Sequence, residues 1–163
     1  MAFESITDEK INELLKMPKR VVNPGVRAKN KDGHEQYNYK LKTTGEIEYE
    51  MILYTRQNLR EGMEDSFSCG LCWNAPNGEV LTLARYNGSS HSHPNHLEGE
   101  VLGFECHIHK ASEKYIKANR KPEGFAQTSD RYHTVKGALY CLVSDCNITG
   151  IGTTQDIPLL FDK

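Results

Sequence analysis

The sequence lacks any apolar run that approaches the about 20 residues a membrane-spanning helix needs. Its N-terminus also lacks the basic start and apolar stretch of a secretory signal. The five cysteines are an odd number, which argues against a closed disulfide framework. These absences favour a cytoplasmic protein with reduced thiols, and they lead us to expect no membrane partner.

The chain also lacks a large excess of either sign of charge, because the net charge is only -2 over 163 residues. The whole molecule is therefore not expected to attract nucleic acid through its total charge. The basic residues are nevertheless clustered: residues 16–31 contain no acidic side chain, and a second basic stretch covers residues 110–121. Such clusters can follow a phosphate backbone, and they are also common on ordinary solvated surfaces, so both interpretations stay open.

The composition, with 37% apolar and 26% charged residues, is that of a globular protein rather than of a disordered chain. The length suits one domain, which we expect to cover residues 1–163. A helix is predicted near the N-terminus, where Thr7 can cap the first turn and Pro18 ends the last. Two further helices are predicted at residues 112–119 and 134–144.

Between these helices the chain alternates between apolar and polar residues, as half-buried strands do. The main predicted strands cover residues 36–42, 47–53, 66–74, 80–86 and 100–109. Because the strands come in a block joined by short turns, the sequence predicts an α+β fold. Its antiparallel sheet has about five to six strands, with the N-terminal helix and the two C-terminal helices packed on one face.

Five of the seven histidines lie within one short segment of the chain. They are His91, His93, His96, His107 and His109. Histidine exchanges protons near neutral pH, and it is the commonest metal ligand in proteins. The segment from Arg85 to His109 is therefore the candidate site of chemistry.

The predicted strand at residues 100–109 sorts its side chains by alternation. Glu105, His107 and His109 point to one face. The side chains expected on the opposite, core-facing side are Leu102, Phe104, Cys106 and Ile108. A carboxylate and two imidazoles on one face would line a common cleft with polar groups.

Arg85 and Tyr86 end the preceding strand and lead into the loop that carries the first histidines. An arginine guanidinium can hold a phosphate through two parallel hydrogen bonds. We therefore predict that Arg85 and Tyr86 bind phosphate beside the histidines.

The leading hypothesis is a phosphodiesterase that needs no metal or other cofactor. His107 and His109 would act as general base and general acid on RNA or another nucleic acid, with Arg85 stabilising the phosphate charge. The other members of the predicted catalytic set are His91, His93, His96 and Glu105.

Two alternatives stay open. In the first, His107 and His109 join loop histidines in binding a divalent ion such as zinc, which activates water. The loop around Gly88 looks mobile from its sequence, so we expect no stoichiometric metal. In the second, the chain is a non-enzymatic interaction module of a phage or mobile element that binds a host protein or nucleic acid. Its proposed surface carries Tyr37, Tyr39, Tyr49 and Tyr54.

The run Arg85-Tyr86-Asn87-Gly88, the histidines after it and His107-Ile108-His109 resemble an uncharacterised family of small histidine-rich bacterial and prophage proteins. The resemblance covers roughly residues 83–147. The pattern is more distantly similar to TumE-type toxins of toxin–antitoxin systems, which often carry aspartate where this chain has Asn87. The resemblance implies a nuclease-like, growth-inhibiting activity that an antitoxin-like protein partner neutralises, although family membership does not by itself establish a function.

Overall fold

The computed structural model describes residue 3 and residues 5–151, and these residues form three helices and eleven strands. The helices are α1 (Asp8–Lys16), α2 (Glu113–Lys117) and α3 (Val135–Asp145). The strands are β1 (Lys19–Val21), β2 (Lys29–Lys31), β3 (His34–Thr43), β4 (Glu50–Asn58), β5 (Phe67–Asn74), β6 (Val80–Asn87), β7 (His93–Asn95), β8 (Glu100–Leu102), β9 (His107–Lys110), β10 (Phe125–Thr128) and β11 (Ile148–Thr149). The α+β class is confirmed.

Nine of these strands form one sheet, in the order β10-β9-β6-β5-β4-β3-β1-β11, with β2 paired to the outer part of β3. All neighbours in it are antiparallel except β1 and β11, which are parallel. The remaining two strands, β7 and β8, form a separate hairpin. The predicted five to six strands are too few because the additional strands have only two to four residues, too short for an alternating pattern to be visible.

The two longer helices begin where the sequence predicts. The hydroxyl of Thr7 accepts a hydrogen bond from the Lys10 amide at 3.0 Å, and Thr134 caps α3 by accepting one from Gly137 at 3.0 Å. Both helices bury their apolar residues in the same core as the central strands. The predicted layout is not matched for α2, which has five residues and contacts the β7–β8 turn through the Tyr115 hydroxyl, 2.6 Å from Glu98.

The single strand predicted at residues 100–109 is two strands with different partners. Its first part is β8, in the small hairpin, and its last part is β9, in the large sheet. Phe104 lies between them and is 72% exposed, although alternation predicts it in the core. Alternation along a sequence cannot detect the point at which the chain changes from one sheet to another.

No helix within residues 3 and 5–151 is long and apolar enough to cross a lipid bilayer.

Lys19 joins the ends of the two longer helices and is only 1% exposed. Its ammonium group donates hydrogen bonds of 2.8 Å to the carbonyl oxygens of Leu15, Met17 and Cys146. Burial lowers the pKa of Lys19 to about 8, so the side chain still carries its charge at neutral pH. Lys19 belongs to the basic stretch at residues 16–31, but it is buried and bonded to three carbonyl groups, so it is not available to bind a phosphate.

We predict that Lys19→Met destabilises the fold by about 2–4 kcal/mol, because three buried carbonyl groups lose a charged donor. Urea unfolding of both proteins measures the difference. Lys16→Met is the matched control, since Lys16 is an exposed lysine at the end of α1, three residues before Lys19, and should change stability by less than about 0.5 kcal/mol. Equal stabilities for the two variants would contradict the prediction.

Candidate metal centre

The pairing of β6 with β9 fixes the first two histidines of the site. His107 lies opposite Asn87, and His109 lies opposite Arg85, so both imidazoles share one face of the sheet, as alternation predicts. They are 0% and 3% exposed. The two rings are therefore covered rather than presented to solvent, and their centroids are 5.1 Å apart.

The β7–β8 hairpin supplies the third histidine. Asn95, at the end of β7, donates from its side-chain amide to the Ala126 carbonyl at 2.8 Å and accepts from the Ala126 amide at 2.9 Å. This reciprocal pair anchors β7 to β10. Two residues before Asn95, the ring of His93 lies 4.5 Å from that of His109 and 5.6 Å from that of His107, measured between centroids.

One nitrogen of each imidazole is bonded to a main-chain carbonyl group. Nε2 of His93 is 2.7 Å from Gly124 O, Nδ1 of His107 is 2.9 Å from Glu105 O, and Nδ1 of His109 is 2.8 Å from Glu123 O. A carbonyl only accepts, so these three nitrogens carry the hydrogen. In a neutral ring the other nitrogen then keeps its lone pair: Nδ1 of His93 and Nε2 of His107 and His109. The lone pair on Nε2 of His107 faces the Asn87 amide nitrogen at 3.4 Å, a contact that a bound ion would replace.

The three histidines also converge. One potential ligand atom from each of His93, His107 and His109 lies within 4.8 Å of the other two. Imidazoles oriented through their second nitrogen by a carbonyl are typical of metal sites in proteins. The side chain of Asn87 adjoins the group, with its nitrogen 3.4 Å from Nε2 of His107. Its buried Oδ1 has no hydrogen-bond partner among the described residues, which is a feature of sites that accommodate water or an ion.

Burial keeps the rings of His107 and His109 uncharged. It lowers the pKa of His109 to about 3, and the positive charge of Arg85 acts in the same direction. The pKa of His107 is also lowered, again mainly by burial. At neutral pH both imidazoles are therefore neutral, which is the form that coordinates a metal ion.

The remaining predicted histidines differ in position. His91 is exposed, and its ring meets the ring of His107 edge-on at 5.1 Å, so it stands beside the three buried histidines at the solvent side. His96 is exposed in the turn between β7 and β8, away from the group.

Two predicted site residues do not have the expected roles. Glu105 has an exposed side chain, and it is its main-chain carbonyl, not its carboxylate, that holds His107. Tyr86 is buried on the opposite face of the sheet, where its hydroxyl donates to Asp145. Alternation explains the second correction, because neighbours on a strand point to opposite faces, and Arg85 is the one that faces the histidines.

Arg85 lines a cleft of about 550 Å³ that opens beside the histidines. Its guanidinium is 3.3 Å from the carboxylate of Glu123, which is itself buried. Other polar residues of this region come from distant parts of the chain, and no sequence pattern groups them with the histidines. They include His34, Tyr54, Arg56, Lys121, Glu123 and Asn95.

A glycine lets Tyr54 form one wall of this cleft. The ring of Tyr54 on β4 lies over Gly70 of β5, where an added Cβ would come within 2.3 Å of the ring. Burial raises the pKa of Tyr54, and the neighbouring Arg85 opposes this effect. The Tyr54 ring can lie in this position because Gly70 has no side chain beneath it.

We predict that Gly70→Ala costs about 1–3 kcal/mol of stability, because the new methyl group displaces the Tyr54 ring. In a Tyr54→Ala background the same change should cost far less, giving a coupling of at least about 1 kcal/mol in a double-mutant cycle. Gly45→Ala is the control, since nothing lies within 4 Å of an added Cβ there. Additive effects at positions 54 and 70 would rule the explanation out.

The chain matches no protein-family model, no curated protein and no solved structure. The similarity to TumE-type toxins therefore stays a prediction. The function has to be argued from the chemistry of the three histidines and the cleft beside them.

Proposed function

We propose that the protein is a metal-dependent hydrolase of phosphodiesters, with one divalent transition-metal ion bound by His93, His107 and His109. The observation that carries the proposal is the convergence of three imidazoles, each oriented by a main-chain carbonyl through its other nitrogen. Each ring is held with its free lone pair available to a cation.

The spacing supports a single ion. Zinc binds histidine nitrogen at 2.0–2.1 Å, so tetrahedral ligand nitrogens lie roughly 3.4 Å apart. One nitrogen of each ring lies within 4.8 Å of a nitrogen of the other two, so the three rings are close enough to share one ion. A ligand set of imidazoles alone suits zinc, copper, iron or nickel better than magnesium or calcium, which prefer oxygen.

Three protein ligands leave a coordination position open, and this distinguishes catalytic zinc sites from four-ligand structural sites. An ion in such a site lowers the pKa of a bound water molecule to about 7. The water oxygen then bonds to phosphorus while the bond from phosphorus to the leaving oxygen breaks. His91, exposed beside His107, would take the proton from the water, and a solvent water molecule would protonate the leaving oxygen on the opposite side of phosphorus.

The charges of the cleft favour a phosphate group as the substrate. Arg85 has its contact with Glu123 at one terminal nitrogen and retains other N–H donors, and Lys121 lines the same cleft. Cations beside the open metal position stabilise the charge that develops on the phosphate oxygens during hydrolysis.

Metal-free acid–base catalysis by His107 and His109 is the competing mechanism for the same reaction. It is less well supported, because both rings are buried and each has one nitrogen bonded to a carbonyl. The interaction-module hypothesis is also less well supported, since its tyrosines do not share one surface. Tyr37 stacks on Tyr39, whereas Tyr54 lies in the cleft.

A growth-inhibiting role on RNA, with an antitoxin-like partner, is compatible with phosphodiester hydrolysis and is part of this proposal. Its support is the resemblance described from the sequence, together with the cationic cleft beside the histidines.

Metal content gives the first test. We predict that untagged protein, stripped with chelator and titrated with Zn²⁺ or Co²⁺, binds one ion per chain, and that His107→Ala or His109→Ala abolishes this binding because two ligands cannot hold the ion. His96→Ala and His133→Ala are matched controls, because both residues are exposed histidines outside the group. Unchanged stoichiometry in the His107 and His109 variants would refute the metal site.

Activity gives the second test, with labelled RNA and bis(p-nitrophenyl) phosphate as substrates. We predict hydrolysis by the zinc- or cobalt-loaded protein, a loss of at least about 100-fold in chelator, and an equal loss in a His107→Ala His109→Ala variant. Hydrolysis that persists in chelator but disappears in the double variant would favour the metal-free mechanism instead. Equal background cleavage by the wild type and the double variant would eliminate both.

A further inference from the structure

We propose that the sheet carries a strand-binding groove, formed by the cleft beside Arg85 and by the cations Lys29, Lys31 and Arg56, that binds single-stranded nucleic acid and leads it to the three histidines. The inference deepens the proposed function and rests on it for the reaction at the histidine end. The binding itself depends only on the groove.

The floor of the groove is a row of polar side chains across neighbouring strands. Gln36 pairs with Arg56, Arg56 with Ser68, Ser68 with Asn87, and Asn87 with His107. At about 4.8 Å between strands, this row from β3 to β9 is about 19 Å long. It ends at the histidine group, on the face of the sheet opposite α1 and α3.

Two hollows along this row are adjacent. The cleft of about 550 Å³ beside the histidines shares His34, Gln36 and Arg56 with a second hollow of about 320 Å³. The second hollow ends at Lys29 and Lys31 of β2. A ligand lying along the row would contact both hollows, from Lys29 and Lys31 of β2 to the cleft beside Arg85.

The charge of the lining is strongly positive, although the chain as a whole carries a net charge of -2. The cations that line the two hollows are Lys29, Lys31, Arg56, Arg85 and Lys121, whereas Asp32 is the carboxylate in the same lining. Lys29, Lys31 and Arg56 are exposed, and none forms an ion pair within the described part of the chain. Unpaired cations along an extended path suit a ligand with repeated negative charges.

The dimensions and the aromatic groups favour a single strand. A groove of about 19 Å fits on the order of four nucleotides of an extended strand, and its hollows are too small for a duplex to enter. The ring of Tyr54 and the imidazoles of His34 and His91 lie along the path and offer faces on which unpaired bases can stack. The cleft includes His91 and Asn87, which adjoin the histidine group, so a strand in the cleft would lie next to that group.

The test is the binding of a labelled oligouridylate of about 12 nucleotides to chelator-treated protein, measured by fluorescence anisotropy at several salt concentrations. We expect a Lys29→Gln Lys31→Gln Arg56→Gln variant to bind at least about 10-fold more weakly, with the slope of log affinity against log salt smaller in magnitude by about 2. A Lys114→Gln Lys117→Gln Arg120→Gln variant is the matched control, because it removes three cations from the second basic stretch and should bind like the wild type. A duplex of the same length should bind more weakly than the single strand.

Unchanged affinity and salt slope in the groove variant would overturn the inference, as would an equal loss in the control or equal affinity for the duplex. Hydrolysis of bis(p-nitrophenyl) phosphate by the metal-loaded protein separates this failure from failure of the proposed function. The small ester does not extend to β2, so its hydrolysis by the wild-type protein reports on the reaction at the histidines and not on strand binding. A protein that binds the strand as expected but hydrolyses neither substrate would keep the groove and lose the hydrolase.

Discussion

The site depends on two successive main-chain carbonyl groups, those of Glu123 and Gly124, which hold His109 and His93. The segment that carries them is immobilised from both sides. The buried carboxylate of Glu123 meets Arg85 of β6, and Gly124 packs so closely on Tyr115 that a Cβ would come within 2.5 Å of that ring. Two imidazoles from different sheets can converge because a rigid turn fixes the direction of both.

The sheet contributes the rest of the geometry because its two faces carry different side chains. One face packs against α1 and α3 and contains the apolar residues that stabilise the fold. The other face has the polar row from Gln36 to His107, so its functional residues do not compete with the core for the same positions. The small hairpin then covers one end of this face, which removes His107 and His109 from water while the β3 end stays open.

The sequence predicted the parts of the fold that local patterns determine. The cap at Thr7 located α1, the apolar pattern of residues 134–144 located α3, and alternation placed His107 and His109 together on one face. The burial of these histidines could not be predicted, because the hairpin that covers them is anchored by Asn95 to Ala126, 31 residues further along the chain. An asparagine whose amide imitates a strand partner leaves no periodic signal in the sequence.

The same distinction explains which residues of the candidate site the sequence patterns indicated. Arg85, His93, His107 and His109 are close in sequence, and their residue types are those of known chemistry. Arg56, Tyr54 and His34 come from strands that the alternating pattern describes only as half-polar, and they join the cleft through the pairing of β3, β4 and β5. Of the basic stretch at residues 16–31, Lys29 and Lys31 line the second hollow, whereas Lys19 is buried. The cluster of basic residues in the sequence therefore indicated a cationic surface, but only some residues of the cluster belong to it.

Arg85 links the two halves of the site electrostatically. Its positive charge contributes to the lowered pKa values of His91, His107 and His109, so it helps to keep these imidazoles in the neutral form. The same charge repels a metal ion bound nearby. An anionic phosphate that pairs with Arg85 offsets this repulsion, and the bound ion in turn attracts the phosphate. Because coupling between two ligands is reciprocal, each should raise the affinity for the other. An arginine between the three histidines and the proposed groove would thus make the binding of an ion and of a polyanion favour each other.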